Sequence, residues 1–282
     1  MKTTLLDLLH TIRGQAFPLI LGGGYALYLK QLRLQDLGHR TSIPNHLWPR
    51  PRSTEDLDWF LQTDVVCSVN QMTAIRSALD SLGFSVVKDA KYMHFEKALA
   101  PFGLVKLDLL TGPVPRQAAR KKLHIKRPRV RPRQRVELHA YLVDEAIAFD
   151  EELFEVPVAG RRSNGQFYSA SVHVPPPFTF LLMKLHAFDD RKDDPDKQLG
   201  RHHALDLYRV IAMMTSEEYD AVQRYLRLHE KAPPVHKARD IVSHGFMDKN
   251  SIGVLRLREH ALFNPEMDVS EFLSILHELF GG

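Results

Sequence analysis

The chain has 282 residues, of which 44% are apolar and 26% charged, and its net charge is +4, a balance typical of soluble globular proteins. No segment approaches the ~20 consecutive apolar residues of a membrane-spanning helix, and the single cysteine, Cys67, excludes an internal disulfide and a cysteine-based metal cluster. We therefore expect a cytoplasmic protein that has no attachment to a membrane.

The first 174 residues mix helical and strand-like patterns. Alternating or short apolar runs predict strands, and apolar residues spaced three and four apart predict amphipathic helices. Residues 136–149 are ambiguous between the two. The pattern as a whole predicts an α+β domain at 1–174 with a mixed β-sheet. Its predicted helices are at 4–13, 24–34 and 66–82, and its strands are at 17–21, 56–61, 84–87, 92–96, 104–110, 153–158 and 166–174.

A glycine-rich turn follows the first predicted strand. Gly22, Gly23 and Gly24 stand between the apolar run and a helix that opens at Tyr25. Glycine lets a backbone approach a phosphate closely, and a helix N-terminus attracts negative charge. The turn lacks the third glycine of a dinucleotide-binding fingerprint and the lysine of a P-loop. It is therefore either a phosphate-binding turn or an ordinary strand-to-helix connection.

Two aspartates share one face of the next strand. Asp56 and Asp58 are two residues apart, and side chains at that spacing project to the same side of a strand. Adjacent carboxylates repel each other unless a cation lies between them, and their hard oxygen atoms suit Mg²⁺ or Mn²⁺. Without a metal, the two acids would be solvated residues of an exposed strand.

A third carboxylate, Asp108, lies near the end of the strand predicted at 104–110. If that strand neighbours the strand of Asp56 and Asp58, the three carboxylates would hold two divalent metals. One of the carboxylates would then be free to act as a base for an attacking hydroxyl. The spacing therefore predicts a metal site built from two separate strands.

The segment 116–135 is strongly basic. It carries ten Lys or Arg and no acid, whereas the rest of the chain has 28 basic against 34 acidic residues. Such a strip is typical of a polyanion-binding surface, and a solvated loop is the alternative. Because Pro128 and Pro132 oppose a regular helix, we expect an extended arm or loop. The candidates for contact with an RNA backbone are Lys121, Lys122, Lys126, Arg127, Arg129, Arg131 and Arg133.

Pro175, Pro176 and Pro177 separate the mixed domain from a helical one. Proline is favoured in the first turn of a helix, and the pattern that follows is helical throughout. We predict a C-terminal helical domain at 175–282, with helices near 178–190, 198–213, 216–229, 234–243, 249–260 and 269–280.

The glycine turn and the three aspartates together resemble the nucleotidyltransferase superfamily that includes DNA polymerase beta. More narrowly, residues 23–27 (Gly-Gly-Tyr-Ala-Leu) and 52–58 (Arg-Ser-Thr-Glu-Asp-Leu-Asp) are similar to motifs of the AbiEii/AbiGii group, the toxins of type IV toxin–antitoxin systems. The chain departs from that group in a longer gap between the two motifs. The excess, residues 35–51, is rich in Pro, His and Arg and looks like an inserted loop.

The resemblance implies a nucleotidyltransferase fold and assigns roles to several residues. It implies that Gly23, Gly24 and Thr54 contact the nucleotide and that Asp56, Asp58 and Asp108 bind the metal and are catalytic. In the second domain, Lys-x-x-Ala, Arg-x-x-Asp and Asp-Leu patterns are similar to the group's later motifs. They assign phosphate binding and a catalytic role to Lys184, a part in the active site to Asp206, and a further phosphate contact to Arg191.

The expected function is the transfer of a nucleoside monophosphate from an NTP to a hydroxyl acceptor, with Mg²⁺ or Mn²⁺ as cofactor. The resemblance implies a tRNA-like RNA acceptor, a toxin role and a cognate antitoxin as partner. Two alternatives remain, a small-molecule transferase of the aminoglycoside kind and a catalytically silent protein that binds RNA or nucleotide. The basic segment disfavours the first, because a cationic acceptor needs an acidic pocket. The three acids disfavour the second, because a pure binder of polyanions has no need of them.

Overall fold

The fold is mixed α+β, as the sequence predicts. The computed structural model describes residues 1–52, 54–99, 101, 103–114 and 117–281. Ser53 of the aspartate motif and Arg116 of the basic segment lie outside the described residues. The chain divides into two compact units: the first comprises residues 1–26, 53–144 and 149–175, and the second comprises residues 27–52, 145–148 and 176–282.

A mixed sheet of ten strands forms the first unit, counted over the described residues. The strands are β1 (Ile20–Leu21), β2 (Asp56–Phe60), β3 (Ser85–Val86), β4 (His94–Leu99), β5 (Gly103–Thr111), β6 (Leu123–Lys126), β7 (Arg129–Pro132), β8 (Ala140–Leu142), β9 (Phe154–Arg161) and β10 (Phe167–Val174). They lie in the order β6, β7, β8, β5, β2, β1, β10, β9, and the β3–β4 hairpin joins the sheet where β4 pairs with β5. β5 is parallel to β2 and β8 and antiparallel to β4.

The two faces of the central strands differ in polarity. On β2, Leu57 and Trp59 are buried, whereas Asp56 is exposed and Asp58 is half-buried. β5 shows the same alternation of buried apolar and more exposed residues. Because successive side chains of a strand point to opposite faces, the sheet presents one apolar face to the core and one polar face on which a site can form.

Helices α1 (Lys2–Thr11), α3 (Thr63–Cys67), α4 (Val69–Ser81) and α5 (Gln117–Lys122) belong to the first unit, and α2 (Gly23–Leu37) begins in it. α1 packs on β9 and β10. The single helix predicted at 66–82 is interrupted at Ser68, whose extended backbone ends α3. The Ser68 hydroxyl then caps α4 by accepting a hydrogen bond from the Gln71 backbone N–H at 3.3 Å.

The basic segment is folded, which corrects the prediction of an extended arm or loop. It forms α5 and an antiparallel hairpin of β6 and β7. Leu123, Val130 and Pro132 are buried on one side of the hairpin. The prolines are compatible with this structure because Pro128 lies in the turn and Pro132 is the last residue of its strand.

The second unit is helical. Its helices after residue 176 are α6 (Pro177–Asp189), α7 (Arg201–Ala212), α8 (Ser216–Leu228), α9 (Pro233–Gly245), α10 (Ile252–Arg258) and α11 (Val269–Phe280). α6 is buried over most of its surface and packs against α7, α8 and α9. The six predicted helices are confirmed, with ends that differ by a few residues. Within the described chain, none of the helices has both the length and the apolar character needed to cross a membrane.

Residues 35–51, expected as an inserted loop, belong to the second unit. α2 extends to Leu37, and a short 3₁₀ helix spans Asn45–Leu47. The Ser42 backbone N–H donates to the Met214 carbonyl at 2.8 Å, and the Trp48 indole N–H donates to the Ile43 carbonyl at 2.8 Å. These bonds make the segment an ordered part of the helical unit.

Candidate active site

The glycine turn lies directly against Asp58. Gly22 donates its backbone N–H to the Asp58 carbonyl at 2.8 Å, and Gly23 opens α2 with a φ of +65°. A Cβ atom on Gly23 would lie 1.7 Å from Oδ2 of Asp58, and one on Gly22 would lie 2.5 Å from the Phe60 ring. Both positions therefore require glycine. Gly24, the next residue of α2, is half-buried.

The three predicted acids share one face of the sheet. Asp58 of β2 and Asp108 of β5 are directly opposite each other on neighbouring parallel strands, which lie about 4.8 Å apart. Asp56 pairs in the same way with Lys106. Since residues two apart on a strand point to the same side, Asp56 stands on the face that carries Asp58 and Asp108.

His94 extends the acidic row on the other side of Asp108. It is opposite Asp108 on β4, and its Nδ1 lies 2.7 Å from Oδ1 of Asp108. The hydrogen bond to Asp108 is the main cause that raises the pKa of His94; burial opposes it, and the charges of Asp108 and Asp58 add to it. The row across three strands is thus Asp58, Asp108, His94. Sequence reasoning missed His94, because strand register cannot be read from the spacing along the chain.

The donor set suits a hard divalent cation. Within the described residues, no group of three or more His, Cys, Asp and Glu side chains is arranged to hold a metal ion. Mg²⁺ does not require such a cage, because it is commonly held by one or two carboxylates together with water and substrate phosphates. Asp58 and Asp108 provide two carboxylates on adjacent strands, with Asp56 on the same face. These residues therefore fit Mg²⁺ or Mn²⁺ in that manner.

The cationic side of the basic hairpin faces the same way as the acidic row. His124 is opposite Arg131, and Lys126 is opposite Arg129. Arg129 pairs with Tyr141 of β8, and Tyr141 pairs with Leu110 of β5, which is two residues beyond Asp108. Directly opposed residues share a face, so the hairpin continues the polar face of the sheet. The ring centroids of Tyr141 and His94 are 6.4 Å apart, in agreement with this register.

The other predicted RNA contacts differ in their surroundings. Lys121 and Lys122 are exposed in the last turn of α5, and Arg133 is exposed just after β7. Arg127 is also exposed but forms an ion pair with Asp144.

In the second unit, Lys184 and Asp206 form a buried ion pair. Nζ of Lys184 donates to Oδ2 of Asp206 at 2.7 Å, and the Arg209 guanidinium donates to Oδ1 at 3.1 Å. A nitrogen of Arg52 lies 3.7 Å from Oδ2. Burial by itself raises the pKa of Asp206, but the charges of Lys184, Arg209 and Arg52 outweigh it and hold the pKa below its usual value. Three cations around one carboxylate leave an excess of positive charge.

The last two predicted nucleotide contacts lie at the edges of these clusters. The Thr54 hydroxyl donates to the Asp56 carbonyl at 3.2 Å, next to the acidic row. Arg191 is exposed and forms a hydrogen bond with Nε2 of His203. Burial, followed by the charges of Lys184 and Arg191, lowers the pKa of His203 to about 2, so this ring is neutral and able to accept that bond.

Comparisons with known proteins do not assign a family or a function to this chain. No protein-family model, no curated protein and no solved structure matches the chain.

Proposed function

We propose that this chain has a nucleotidyltransferase fold and transfers a nucleoside monophosphate from an NTP to a hydroxyl of RNA, with Mg²⁺ or Mn²⁺ as cofactor. The observation that carries the proposal is the strand register: Asp58 lies beside Asp108, and both share a face with Asp56. The glycine turn in contact with Asp58 supports it, because close backbone and a helix N-terminus suit a phosphate.

The carboxylates would do most of the chemical work. Asp56, Asp58 and Asp108 would hold the metal, which when bound supplies charge neutralisation and lowers the pKa of the acceptor hydroxyl. The Asp108 carboxylate would accept the hydroxyl proton while the hydrogen bond from His94 keeps that carboxylate oriented. The hydroxyl oxygen attacks the α-phosphorus in line, the bond between that phosphorus and the bridging oxygen breaks, and pyrophosphate leaves.

Lys184 remains the proposed phosphate-binding lysine of the second unit. Its ammonium group is already paired with Asp206, so it would act as part of a cluster rather than as a lone charge. The excess of positive charge among Lys184, Arg209 and Arg52 supports binding of an anion, since a buried uncompensated cation is unfavourable. The proposed toxin role, with a cognate antitoxin, rests on the resemblance of the motifs alone.

A transfer assay tests the proposal. The full chain is incubated with Mg²⁺, total RNA and each of the four α-labelled NTPs. We expect label on RNA with the native chain and a loss of about a hundredfold or more for Asp58→Asn, because the substitution removes a metal-binding charge. Glu151→Gln, which neutralises an exposed acid that is not a member of the row, is the matched control and is expected to keep full activity.

Full transfer by Asp58→Asn would refute the metal assignment. If no label is transferred while RNA is still bound, the chain would be a binding protein rather than a transferase. If label appears on a small cationic acceptor instead of RNA, the acceptor assignment would be wrong.

A further inference from the structure

A cationic pocket opens beside the basic hairpin. Its volume is about 230 Å³, and its wall includes three arginines, two histidines and a tyrosine. Pockets for drug-sized molecules are larger, roughly 300–1,000 Å³, so this one suits a phosphate group with its attached sugar. These wall residues are Arg129, Arg131, Arg135, His124, His139 and Tyr92.

One side of the pocket is firmly held. The His139 backbone N–H donates to the Tyr92 carbonyl at 2.9 Å, and Nδ1 of His139 donates to the Lys91 carbonyl at 2.6 Å. The two rings meet edge to face, with centroids 5.5 Å apart. The Arg76 guanidinium lies 5.8 Å from the centre of the Tyr92 ring. These contacts fix the shape of the pocket before a ligand arrives, which reduces the entropy lost on binding.

The pocket has an excess of positive charge. Its lining includes three arginines and one acid, Glu137, whose carboxylate also accepts a hydrogen bond from the Tyr92 hydroxyl at 3.4 Å. Burial, together with the nearby charges of Arg129 and Arg131, lowers the pKa of His139. The two guanidinium groups are thus close enough to disfavour a further cation. An anion relieves this repulsion, and the planar guanidinium fork matches two oxygens of a phosphate.

The surroundings of the pocket favour a polynucleotide over a free anion. Arg129 and Arg131 stand on the sheet face that carries Asp108. Only β8 separates β7 from β5, so Arg129 lies about two strand spacings, on the order of 10 Å, to the side of the Asp108 strand. Exposed Lys126 continues the positive surface. A linear polyanion can follow this face from the arginines to the carboxylates.

We infer that the pocket binds one backbone phosphate of a single-stranded RNA whose hydroxyl end reaches the carboxylate row. The inference names the acceptor site of the proposed transferase and rests on that proposal. A flexible strand can insert one phosphate into so small a pocket, and single-stranded RNA has the freedom to do so. Arg135, His124, His139 and Tyr92 thereby join the acceptor surface.

RNA binding without catalysis tests the inference. The anisotropy of a short fluorescent single-stranded RNA is measured with the full chain in EDTA and without NTP. Arg129→Gln combined with Arg131→Gln is expected to weaken binding about tenfold or more. The double variant should also reduce the slope of log K against log salt by about 0.7, because the pocket binds one phosphate and each phosphate contact to a single strand contributes ~0.7.

Two further variants keep the result interpretable. Arg135→Gln changes an exposed residue and is expected to weaken RNA binding even if the double variant folds poorly. Arg161→Gln combined with Arg227→Gln removes the same charge at exposed positions outside the pocket and is expected to bind within about twofold of the native chain, as surface substitutions usually do. Equal losses in the control and pocket variants would overturn the inference, as would native affinity in both pocket variants.

Competition separates the two sources of phosphate. Inorganic phosphate that displaces RNA as effectively as an unlabelled oligonucleotide would assign the pocket to a free anion. RNA binding through the pocket without any nucleotide transfer would retain the pocket and refute the transferase. Transfer by a pocket variant with native RNA affinity would retain the transferase and refute the pocket.

Discussion

Gly23 is the residue on which the candidate active site depends most directly. Its φ of +65° favours glycine, and its missing Cβ leaves the space that Asp58 Oδ2 occupies. The second constraint is the stronger one, since a side chain can be strained at positive φ but cannot overlap a carboxylate. The same residue therefore positions both the turn and the acid.

Gly23→Ala is expected to displace Asp58 and to abolish transfer. Strain at positive φ costs about 1 kcal/mol, and the overlap with Asp58 adds to it. Gly38→Ala is the matched control, because Gly38 has a φ of +63° with no atom within 4 Å of an added Cβ. Urea denaturation and the transfer assay are measured for both. Equal losses of stability, with transfer retained by Gly23→Ala, would show that Asp58 does not depend on the turn.

The sequence alone identifies the acidic residues of the site, but it does not show which side chains they contact. The spacing of Asp56 and Asp58 predicts their shared face, and the polar position in an apolar strand predicts Asp108. The bond between Asp108 and His94 depends on the register of β4 against β5, which is set by a hairpin over many residues. Pairing of this kind is a tertiary property and leaves no pattern within one strand.

At the scale of elements, periodicity predicts the helices well and the basic segment poorly. Helices of the second unit carry regular apolar stripes, so their existence follows from the sequence. The larger apolar residues of the basic segment, Leu123, Ile125 and Val130, stand singly between charged and polar residues. Which of these residues face the core is decided only when β7 pairs with β8. Local sequence patterns therefore do not predict short strands of this kind, which form only by pairing at the edge of a sheet.

The break between α3 and α4 is likewise specified by one side chain rather than by periodicity. Ser68→Ala removes the acceptor for the Gln71 N–H and is expected to lower the free energy of unfolding by about 1 kcal/mol. Ser81→Ala, at the other end of α4, removes a hydroxyl whose acceptor, the Ala78 carbonyl, also accepts the Leu82 N–H. That control should change stability by less than about 0.5 kcal/mol. Denaturant titration measures both, and similar losses would contradict the capping role.

At the scale of the whole molecule, the stability of the chain is expected to fall on mild acidification. His260 is buried and its ring lies 2.7 Å, nitrogen to nitrogen, from His202. Burial is the main cause that lowers the pKa of His260 to about 4, and the charge of His202 adds to it. An unfolded histidine titrates near 6.5. Between pH 6.5 and pH 4, His260 binds a proton in the unfolded chain but not in the folded chain, so falling pH favours unfolding.

The melting temperature is therefore expected to drop between pH 6.5 and pH 4, with a loss from His260 on the order of 1–2 kcal/mol at pH 5. His260→Gln should make the curve shallower across that window. His236→Gln, which changes an exposed imidazole of α9, is the control and should leave the shape unchanged. A curve for His260→Gln that keeps the native pH dependence would remove this histidine from the acid response.

The shared sheet face also sets a length scale. The arginines of β7 and the carboxylate of β5 are separated by one intervening strand, and hydrogen-bonded strands cannot change their spacing without breaking the ladder. Under the proposed function, the sheet would therefore hold the arginines that bind the acceptor at a fixed distance from the carboxylates where the acceptor reacts. An RNA fragment shorter than this distance could not occupy both places at once, so the length of the acceptor as well as its charge would decide which molecules are substrates.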